Sequence, residues 1–324
     1  GLHKKLPIQD AWIKLNILTE EELKRKQTET QWDFLNQYDE YSGRRSGKTY
    51  DAETLVIEPG NKVVLAGPGM GKSTLCKKLF LQAGAMNKFA IKVRLWDVAG
   101  YMREGVAFEI ALCKAMCQSL AVEFTKAELA HFFSIIILDG LDECGDYRRT
   151  VAKSIAAWGY GHPYQMIIVT SRPIGYDLTE LTDYNHYQIL PMDEWQMESS
   201  SQKLMELVQQ DCEKQYQWFR KRLQNYELHK LACRSPLVLG FMVQLSLQKK
   251  DFGNSKISLY QEIVNEWLQG SSRDNEKIIS EVELLYGIEA IAFYMMSHVS
   301  DEAREVYTKN NIITYVGERF TEEM

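Results

Sequence analysis

The segment Lys62-Val-Val-Leu-Ala-Gly-Pro-Gly-Met-Gly-Lys-Ser-Thr-Leu75 joins an apolar strand to an apolar helix through a glycine-rich loop. It matches the P-loop pattern, although Ala66 stands where a first glycine is commoner. Glycines in such a loop allow backbone N–H groups to surround phosphate oxygens, and the following helix offers its N-terminal dipole to the same anion. The segment therefore predicts a nucleotide-binding loop.

The side chains of this loop have separate expected roles. Lys72 is predicted to reach the β and γ phosphates, and Ser73 is predicted to place its hydroxyl on Mg²⁺. A chance glycine turn ending in Lys is the alternative, and the flanking strand and helix disfavour it. The residues that we expect to contact ATP or ADP are Gly67, Pro68, Gly69, Met70, Gly71, Lys72, Ser73 and Thr74.

A second Gly-Lys-Thr sequence ends the stretch Gly43 to Thr49 and serves as an internal control. The residues before it, Gln37 to Tyr41, are polar and aromatic, whereas a P-loop follows a buried strand. We interpret Gly43 to Thr49 as a solvated basic loop.

An acidic motif, Asp139-Gly-Leu-Asp-Glu143, follows the apolar run Ile135 to Leu138. A buried strand of this kind delivers a carboxylate to its C-terminal edge, so Asp139 is predicted to hold the water shell of Mg²⁺. Asp142 and Glu143 lie just beyond it, where a carboxylate orients or deprotonates an attacking water. Alone, the segment would be interpreted as an acidic turn after a core strand, but its position downstream of the P-loop favours a metal site.

A third apolar run, Met166 to Thr170, ends in Ser171-Arg172-Pro173. Arg172 is a candidate to contact the γ-phosphate and to sense its presence, and a surface charge is an equally open interpretation at this point. With Lys72, Asp142 and Glu143 it completes the set of predicted catalytic residues.

Composition and charge limit the class of protein. The chain has 324 residues, of which 45% are apolar and 25% charged, as in globular proteins. Its net charge of -6 argues against a dominant interaction with nucleic acid or anionic membrane. No apolar run approaches the roughly 20 residues that span a bilayer. Six sparse cysteines do not form a disulfide framework, which favours a reducing, cytoplasmic location.

Short β-rich runs alternate with segments of helical period over residues 51–195, which predicts an α/β fold with a parallel sheet flanked by helices. Helical patterns over residues 196–272 predict a small helical domain. Residues 1–50 are interpreted as an N-terminal linker or helical segment, and residues 273–324 as a further helical segment. The expected strands are Lys62 to Ala66, Ala90 to Trp96, Ile135 to Asp139, Met166 to Thr170 and Tyr187 to Leu190.

In this order, the motifs resemble those of the NACHT family of signal-transduction ATPases, within the STAND group of P-loop switches. The family has a tiny residue after the Mg²⁺ acid and then an acidic pair, which Gly140 and Asp142-Glu143 match. Ser171-Arg172-Pro173 looks like its sensor arginine, and Arg234-Ser-Pro-Leu-Val-Leu239 is similar to a helical-domain motif whose proline lies against the nucleotide base. The resemblance adds Pro236 to the expected nucleotide contacts, with a helix-starting proline as the alternative.

The resemblance implies a nucleotide-dependent switch in innate-immune-like or antiphage signalling. ADP is expected to hold a closed monomer, and ATP to permit self-association and effector activation, with slow hydrolysis resetting the switch. Family members carry an N-terminal effector and a C-terminal sensor domain, so this chain is expected to be a fragment without them. A winged-helix domain with a nucleotide-contacting histidine would begin within residues 281–324, and His298 comes too early to be assigned that role.

Two other functions stay open. One is a P-loop kinase, in which Asp142 or Glu143 would activate an acceptor hydroxyl, although no lid-like arginine cluster is evident in the sequence. The other is a DNA-handling ATPase, for which Arg220-Lys-Arg222 with Trp218 and Phe219 is the nearest basic and aromatic cluster. On a helix of this composition such a cluster is more often a solvated face.

Overall fold

The computed structural model describes residues 6–19, 49–120, 125, 132–173 and 176–271. The chain divides into two compact units, one from Leu2 to Lys250 and one that begins at Asp251. The described strands lie in the first unit and are β1 (Asn16–Thr19), β2 (Tyr50–Asp51), β3 (Lys62–Leu65), β4 (Ala90–Arg94), β5 (Ile135–Asp139), β6 (Met166–Ser171) and β7 (Asn185–Ile189).

The first unit also contains nine of the described α-helices. They are α1 (Ile8–Ala11), α2 (Lys72–Ala85), α3 (Leu95–Arg103), α4 (Phe108–Leu120), α5 (Arg148–Gly161), α6 (Glu194–Val208), α7 (Glu213–Arg222), α8 (Tyr226–Arg234) and α9 (Pro236–Leu247). The second unit contains α10 (Lys256–Ser271) among its described residues.

The described strands form one sheet of seven strands in the order β2-β1-β7-β3-β6-β5-β4. The five strands from β7 to β4 are parallel to their neighbours. Strand β1 pairs antiparallel with β7, and β2 pairs antiparallel with β1. The predicted α/β fold, a parallel sheet flanked by helices, is confirmed for the five parallel strands, while the two antiparallel strands add an edge that the sequence did not predict.

The parallel strands are covered on both faces, which explains their continuous apolar sequences. Successive residues of β5 point to opposite sides of the sheet, so Ile136 and Leu138 pack in one core with helices α3, α4 and α5. Ile135 and Ile137 pack in the other core with α2. Because neighbouring parallel strands run the same way, the loops after β3, β5 and β6 begin at one edge of the sheet.

Part of the segment predicted as a linker or helix over residues 1–50 is instead a strand. Asn16–Thr19 forms β1, and Trp12 and Ile17 are buried in the core that contains α2. The apolar run is short and precedes a charged stretch, so its pattern does not distinguish strand from helix, and pairing with β7 decides the outcome. The control loop Gly43 to Lys48 lies outside the described residues.

The helices after β7 begin at capped positions. The Asp193 side chain accepts the Gln196 N–H, and the Gln196 side chain accepts the Asp193 N–H, which forms a capping box at the start of α6. Asn225 caps α8 by accepting the N–H groups of Glu227 and Leu228, so α7 and α8 are separate helices. Each described helix is too short or too polar to qualify as a membrane span.

The domain boundaries after residues 195 and 272 stay predictions. Residues 272–324 lie outside the described residues. They include His298 and the expected start of a winged-helix domain.

Candidate nucleotide-binding site

The P-loop lies between β3 and α2, at the C-terminal edge of the parallel strands. Gly69 and Gly71 have φ angles of 71° and 90°, a left-handed conformation that other residues rarely adopt. A Cβ on Gly69 would also lie 2.6 Å from Ser235 Oγ. Gly71 is the N-cap of α2 and places no side chain over the helix start. Because the first turn of a helix leaves N–H groups without intrahelical acceptors, this end of α2 suits an anion.

Lys72 is the first residue of α2, and its side chain is largely buried. Its Nζ donates a hydrogen bond to the Ala66 carbonyl at 3.0 Å and lies 4.0 Å from Asp142 Oδ1. Burial lowers the pKa of Lys72, the nearby Asp142 carboxylate opposes that shift, and the Arg172 guanidinium adds to it. Among the described residues the ammonium thus has one carbonyl acceptor at hydrogen-bonding distance, although it carries three N–H donors.

Asp139 is the last residue of β5 and is buried. Its Oδ1 accepts a hydrogen bond from Thr170 Oγ1 at 2.8 Å, and Thr170 Oγ1 accepts one from the Gly140 N–H at 3.0 Å. Its Oδ2 lies 3.0 Å from Lys92 Nζ, which comes from the edge strand β4. Strand β6 lies between β3 and β5, so Thr170 on that middle strand reaches the carboxylate directly.

The pKa of Asp139 reflects these contacts. Burial acts to raise this pKa, but the hydrogen bond and charge of Lys92, together with the hydroxyls of Thr170 and Ser73, outweigh burial and lower it below its ordinary value. The carboxylate is therefore ionised at neutral pH. Ser73 and Asp139, the two residues predicted to bind Mg²⁺, therefore lie near each other.

Asp142 lies in the 3₁₀ segment Leu141–Tyr147, which follows the left-handed Gly140. Its Oδ2 lies 3.0 Å from Arg172 Nε, and its Oδ1 accepts the Arg172 backbone N–H at 3.0 Å. The same carboxylate is the one that lies 4.0 Å from Lys72 Nζ. Asp142 therefore links Lys72 of the P-loop to Arg172, which follows β6. The partner of the Arg172 guanidinium in this structure is the Asp142 carboxylate.

Glu143 is the exposed member of the acidic pair. Its side chain lies against Gly140, where an added Cβ would come within 3.0 Å of Glu143 Cδ. Partial burial raises the pKa of Glu143, the charges of Asp142 and Asp139 raise it further, and Arg172 acts against them. A raised pKa makes an ionised carboxylate a stronger proton acceptor, which suits a general base.

The proline motif packs directly on the P-loop. Pro236 is the first residue of α9, and Ser235 caps this helix by accepting the Val238 N–H. The Gly69 carbonyl accepts hydrogen bonds from Ser235 Oγ at 3.2 Å and from the Leu237 N–H at 3.3 Å. The start of α9, and Pro236 with it, therefore lies beside the predicted phosphate loop.

Lys92, Thr170 and Ser235 contact predicted site residues but are absent from the sequence prediction of the site. A signal exists for Lys92, because a lysine inside the apolar run Ala90 to Trp96 is unusual in a buried strand. Its partner was not predictable, since the sequence does not specify that β4 lies next to β5.

No protein-family model and no curated protein matches the chain. Among solved structures, it is similar to domain III of the replication initiation protein DnaA from Thermotoga maritima, with 10% identity and a TM-score of 0.35 over 82% of this chain and 88% of that one. AMPPCP-bound DnaA from Aquifex aeolicus matches with 14% identity and a TM-score of 0.36 over 82% and 73% of the two chains. A katanin structure matches with 14% identity and a TM-score of 0.34 over 81% and 71%. Likenesses this distant assign neither a family nor a function.

Proposed function

We propose that this chain is a nucleotide-dependent ATPase that acts as a conformational switch. It binds ATP or ADP with Mg²⁺ and hydrolyses ATP slowly. The observation that supports this best is the meeting of a left-handed glycine loop and Lys72 with the Asp142–Arg172 pair and Asp139 at one edge of the sheet. Cationic groups and helix N–H groups suit phosphates, and an ionised carboxylate beside a hydroxyl suits a metal.

The residues fit a nucleoside triphosphate with its metal. Gly69 and Gly71 turn the loop backbone as phosphate cradles require, and Gly71 leaves the start of α2 without a covering side chain. The Ser73 hydroxyl and the Asp139 carboxylate are oxygen ligands of the kind that Mg²⁺ prefers. One carboxylate suffices where phosphates and water complete the ligand shell.

Three side chains have defined tasks in hydrolysis under this proposal. When bound, Mg²⁺ would neutralise negative charge on the phosphate oxygens. Lys72 would donate its remaining hydrogen bonds to the β and γ phosphates. Glu143 would orient the attacking water and accept its proton at the carboxylate, and Asp139 would hold waters of the metal shell.

The contact between Asp142 and Arg172 is the proposed nucleotide-sensitive element. A γ-phosphate offers Arg172 and Lys72 a more highly charged partner than the single carboxylate that they share. Arg172 would then donate to the γ-phosphate and release Asp142. Loss of that phosphate on hydrolysis would restore the original pair, so the arrangement depends on which nucleotide is bound.

The Gly69 carbonyl connects the same loop to the helical segment. It accepts hydrogen bonds from Ser235 and from the Leu237 N–H at the start of α9. A change in the loop on nucleotide exchange would therefore bear directly on α9. This contact supports the proposal that nucleotide state controls the position of α9.

The finer part of the proposal is that the chain is the ATPase module of a NACHT-type protein in innate-immune-like or antiphage signalling. It is supported by the motifs Asp139-Gly-Leu-Asp-Glu143 and Arg234-Ser-Pro-Leu-Val-Leu239. Self-association in the ATP state, effector and sensor domains outside this chain, and a cytoplasmic location belong to the same proposal.

Nucleotide analysis of the purified chain tests the proposal. Any nucleotide carried through purification is identified by chromatography, and Mg²⁺-dependent ATP turnover is measured without an added acceptor. Bound ADP or ATP and slow turnover are expected. Rapid turnover that requires an acceptor would indicate a kinase, strong stimulation by DNA would indicate a DNA-handling ATPase, and either result would overturn the switch.

A further inference from the structure

Lys92 reaches the carboxylate that we assign to the metal. Its Nζ lies 3.0 Å from Asp139 Oδ2, and the exposed fractions of the two side chains are 21% and 8%. Lys92 is on β4, which is the edge strand next to β5, and so belongs to neither the P-loop nor the acidic motif. One oxygen of Asp139 is therefore in contact with an ammonium.

The other oxygen of Asp139 is also engaged, because Oδ1 accepts the Thr170 hydroxyl at 2.8 Å. A buried carboxylate without a compensating cation is strongly unfavourable. Thr170 is neutral, so of these two groups in contact with the Asp139 carboxylate only Lys92 brings a balancing charge. A divalent cation near Asp139 would meet this positive charge at close range, and like charges repel strongly where water is excluded.

We propose that Lys92 is a resident counter-cation that prevents Asp139 from binding a free divalent metal and makes metal binding depend on the nucleotide. The inference rests on the proposed function only in taking Asp139 as the Mg²⁺ carboxylate. The negative charges of a triphosphate offset the repulsion from Lys92, so the metal binds well only together with the nucleotide. Metal and nucleotide affinities are then coupled, and each raises the other by the same factor.

Binding of Mn²⁺ to the full chain without nucleotide tests this role. Each protein is titrated with Mn²⁺, and the concentration of unbound Mn²⁺ is measured by electron paramagnetic resonance. The proteins compared are the parent chain, Lys92→Met, Lys92→Arg and Lys153→Met. Lys153 is an exposed lysine of α5, so its replacement removes the same charge at a distance from Asp139. Lys92→Met is expected to bind Mn²⁺ about tenfold more tightly than the parent, whereas the other two variants should match the parent.

Two further measurements test whether the tighter Mn²⁺ binding of Lys92→Met occurs at Asp139. The double variant Lys92→Met with Asp139→Asn should lose the tighter Mn²⁺ site. With a non-hydrolysable ATP analogue present, the affinity of the parent for Mn²⁺ should rise, and its difference from Lys92→Met should shrink. Equal Mn²⁺ affinity of parent and Lys92→Met without nucleotide, within about twofold, would overturn the proposal, as would tighter binding that survives in the double variant.

If Lys92→Met folds poorly, a double-mutant cycle measured by thermal unfolding tests the counter-cation role of Lys92. In metal-free buffer, Lys92→Gln is expected to lower the melting temperature, and adding Asp139→Asn to it should recover most of the loss, because no uncompensated charge remains. Additive effects of the two changes would refute the counter-cation role. None of these nucleotide-free measurements requires ATP binding, so they decide the role of Lys92 even if Lys72→Ala leaves ATP binding intact and the proposed function fails.

Discussion

Lys62 and Lys72 lie at opposite ends of the segment that begins with β3, and their surroundings differ. Lys62 starts the strand, is fully buried, and donates hydrogen bonds to three backbone carbonyls, those of Glu58 at 2.6 Å, Pro59 at 3.3 Å and Gly60 at 2.6 Å. Three acceptors match the three N–H donors of an ammonium. Lys62 is therefore saturated by the turn that it holds together.

Lys72 follows the P-loop and has the Ala66 carbonyl at 3.0 Å and Asp142 at 4.0 Å. Burial lowers the pKa of both lysines, so neither burial nor pKa separates them. The two lysines differ instead in how many of their N–H donors have an acceptor. All N–H donors of Lys62 are matched, which indicates a role in the scaffold, whereas Lys72 keeps donors for the phosphates that it is proposed to bind.

The largest effect expected from this difference is on nucleotide binding. Lys72→Ala should weaken ATP binding by roughly 100-fold, because charged hydrogen bonds to the phosphates are lost. Calorimetric titration with Mg²⁺ and ATP measures it. Lys77→Ala, which removes an exposed lysine from the same helix, should bind ATP as the parent does. Unchanged binding in Lys72→Ala would mean that the site is wrongly assigned.

The second effect concerns the acid at the same end of the sheet. Glu143→Gln should slow ATP hydrolysis by about 100-fold and leave ATP affinity within about twofold, because only proton acceptance is removed. Phosphate release under single-turnover conditions measures the rate. Asp146→Asn changes an exposed acid of the same 3₁₀ segment and should leave the rate unchanged. A parent-like rate in Glu143→Gln would exclude it as the base.

The third expected effect is a loss of stability without a loss of ATP binding. Lys62→Ala should lower the free energy of unfolding by about 2 kcal/mol, because three carbonyls lose their donor and a buried side chain is removed. ATP affinity should not change. Urea unfolding and the same titration measure both quantities. If Lys62→Ala lost ATP binding while keeping its stability, the division between scaffold and site would be wrong.

The smallest effect is a pH dependence of stability. Burial lowers the pKa of Lys62 from 10.5 to about 8, against the opposing charge of Glu58. Between these values the unfolded chain holds the proton more tightly than the folded one, so this group makes stability rise with pH. The difference in unfolding free energy between the parent and Lys62→Met should grow in favour of the parent by about 1 kcal/mol from pH 8 to 9. A difference in unfolding free energy that does not change with pH would contradict the lowered pKa of Lys62.

The sequence predicted those parts of the site whose functional residues lie close together in the chain. The P-loop and Asp139-Gly-Leu-Asp-Glu143 each combine a buried strand with the polar residues that follow it. The structure brings Lys72, Asp142 and Arg172 together because parallel strands end at one edge. Their catalytic roles stay predictions.

What the sequence did not predict depends on strand order and on pairing. Lys92 and Thr170 reach Asp139 because β4 and β6 flank β5, and no local pattern specifies that order. Strand β1 is a similar case, because a run of so few apolar residues takes its conformation from its partner β7. The pairing of Arg172 with Asp142 likewise arises between two loops far apart in the chain.

Strand β6 also acts as a spacer. It separates β3, which carries the phosphate loop, from β5, which carries Asp139. Neighbouring strands lie about 4.8 Å apart, so main-chain hydrogen bonds hold these two strands roughly 10 Å apart whatever side chains they bear. The width of the proposed site is thus a property of the backbone, and replacing Lys92 or Thr170 would change the charge and hydrogen bonding around Asp139 without changing the distance between the two strands.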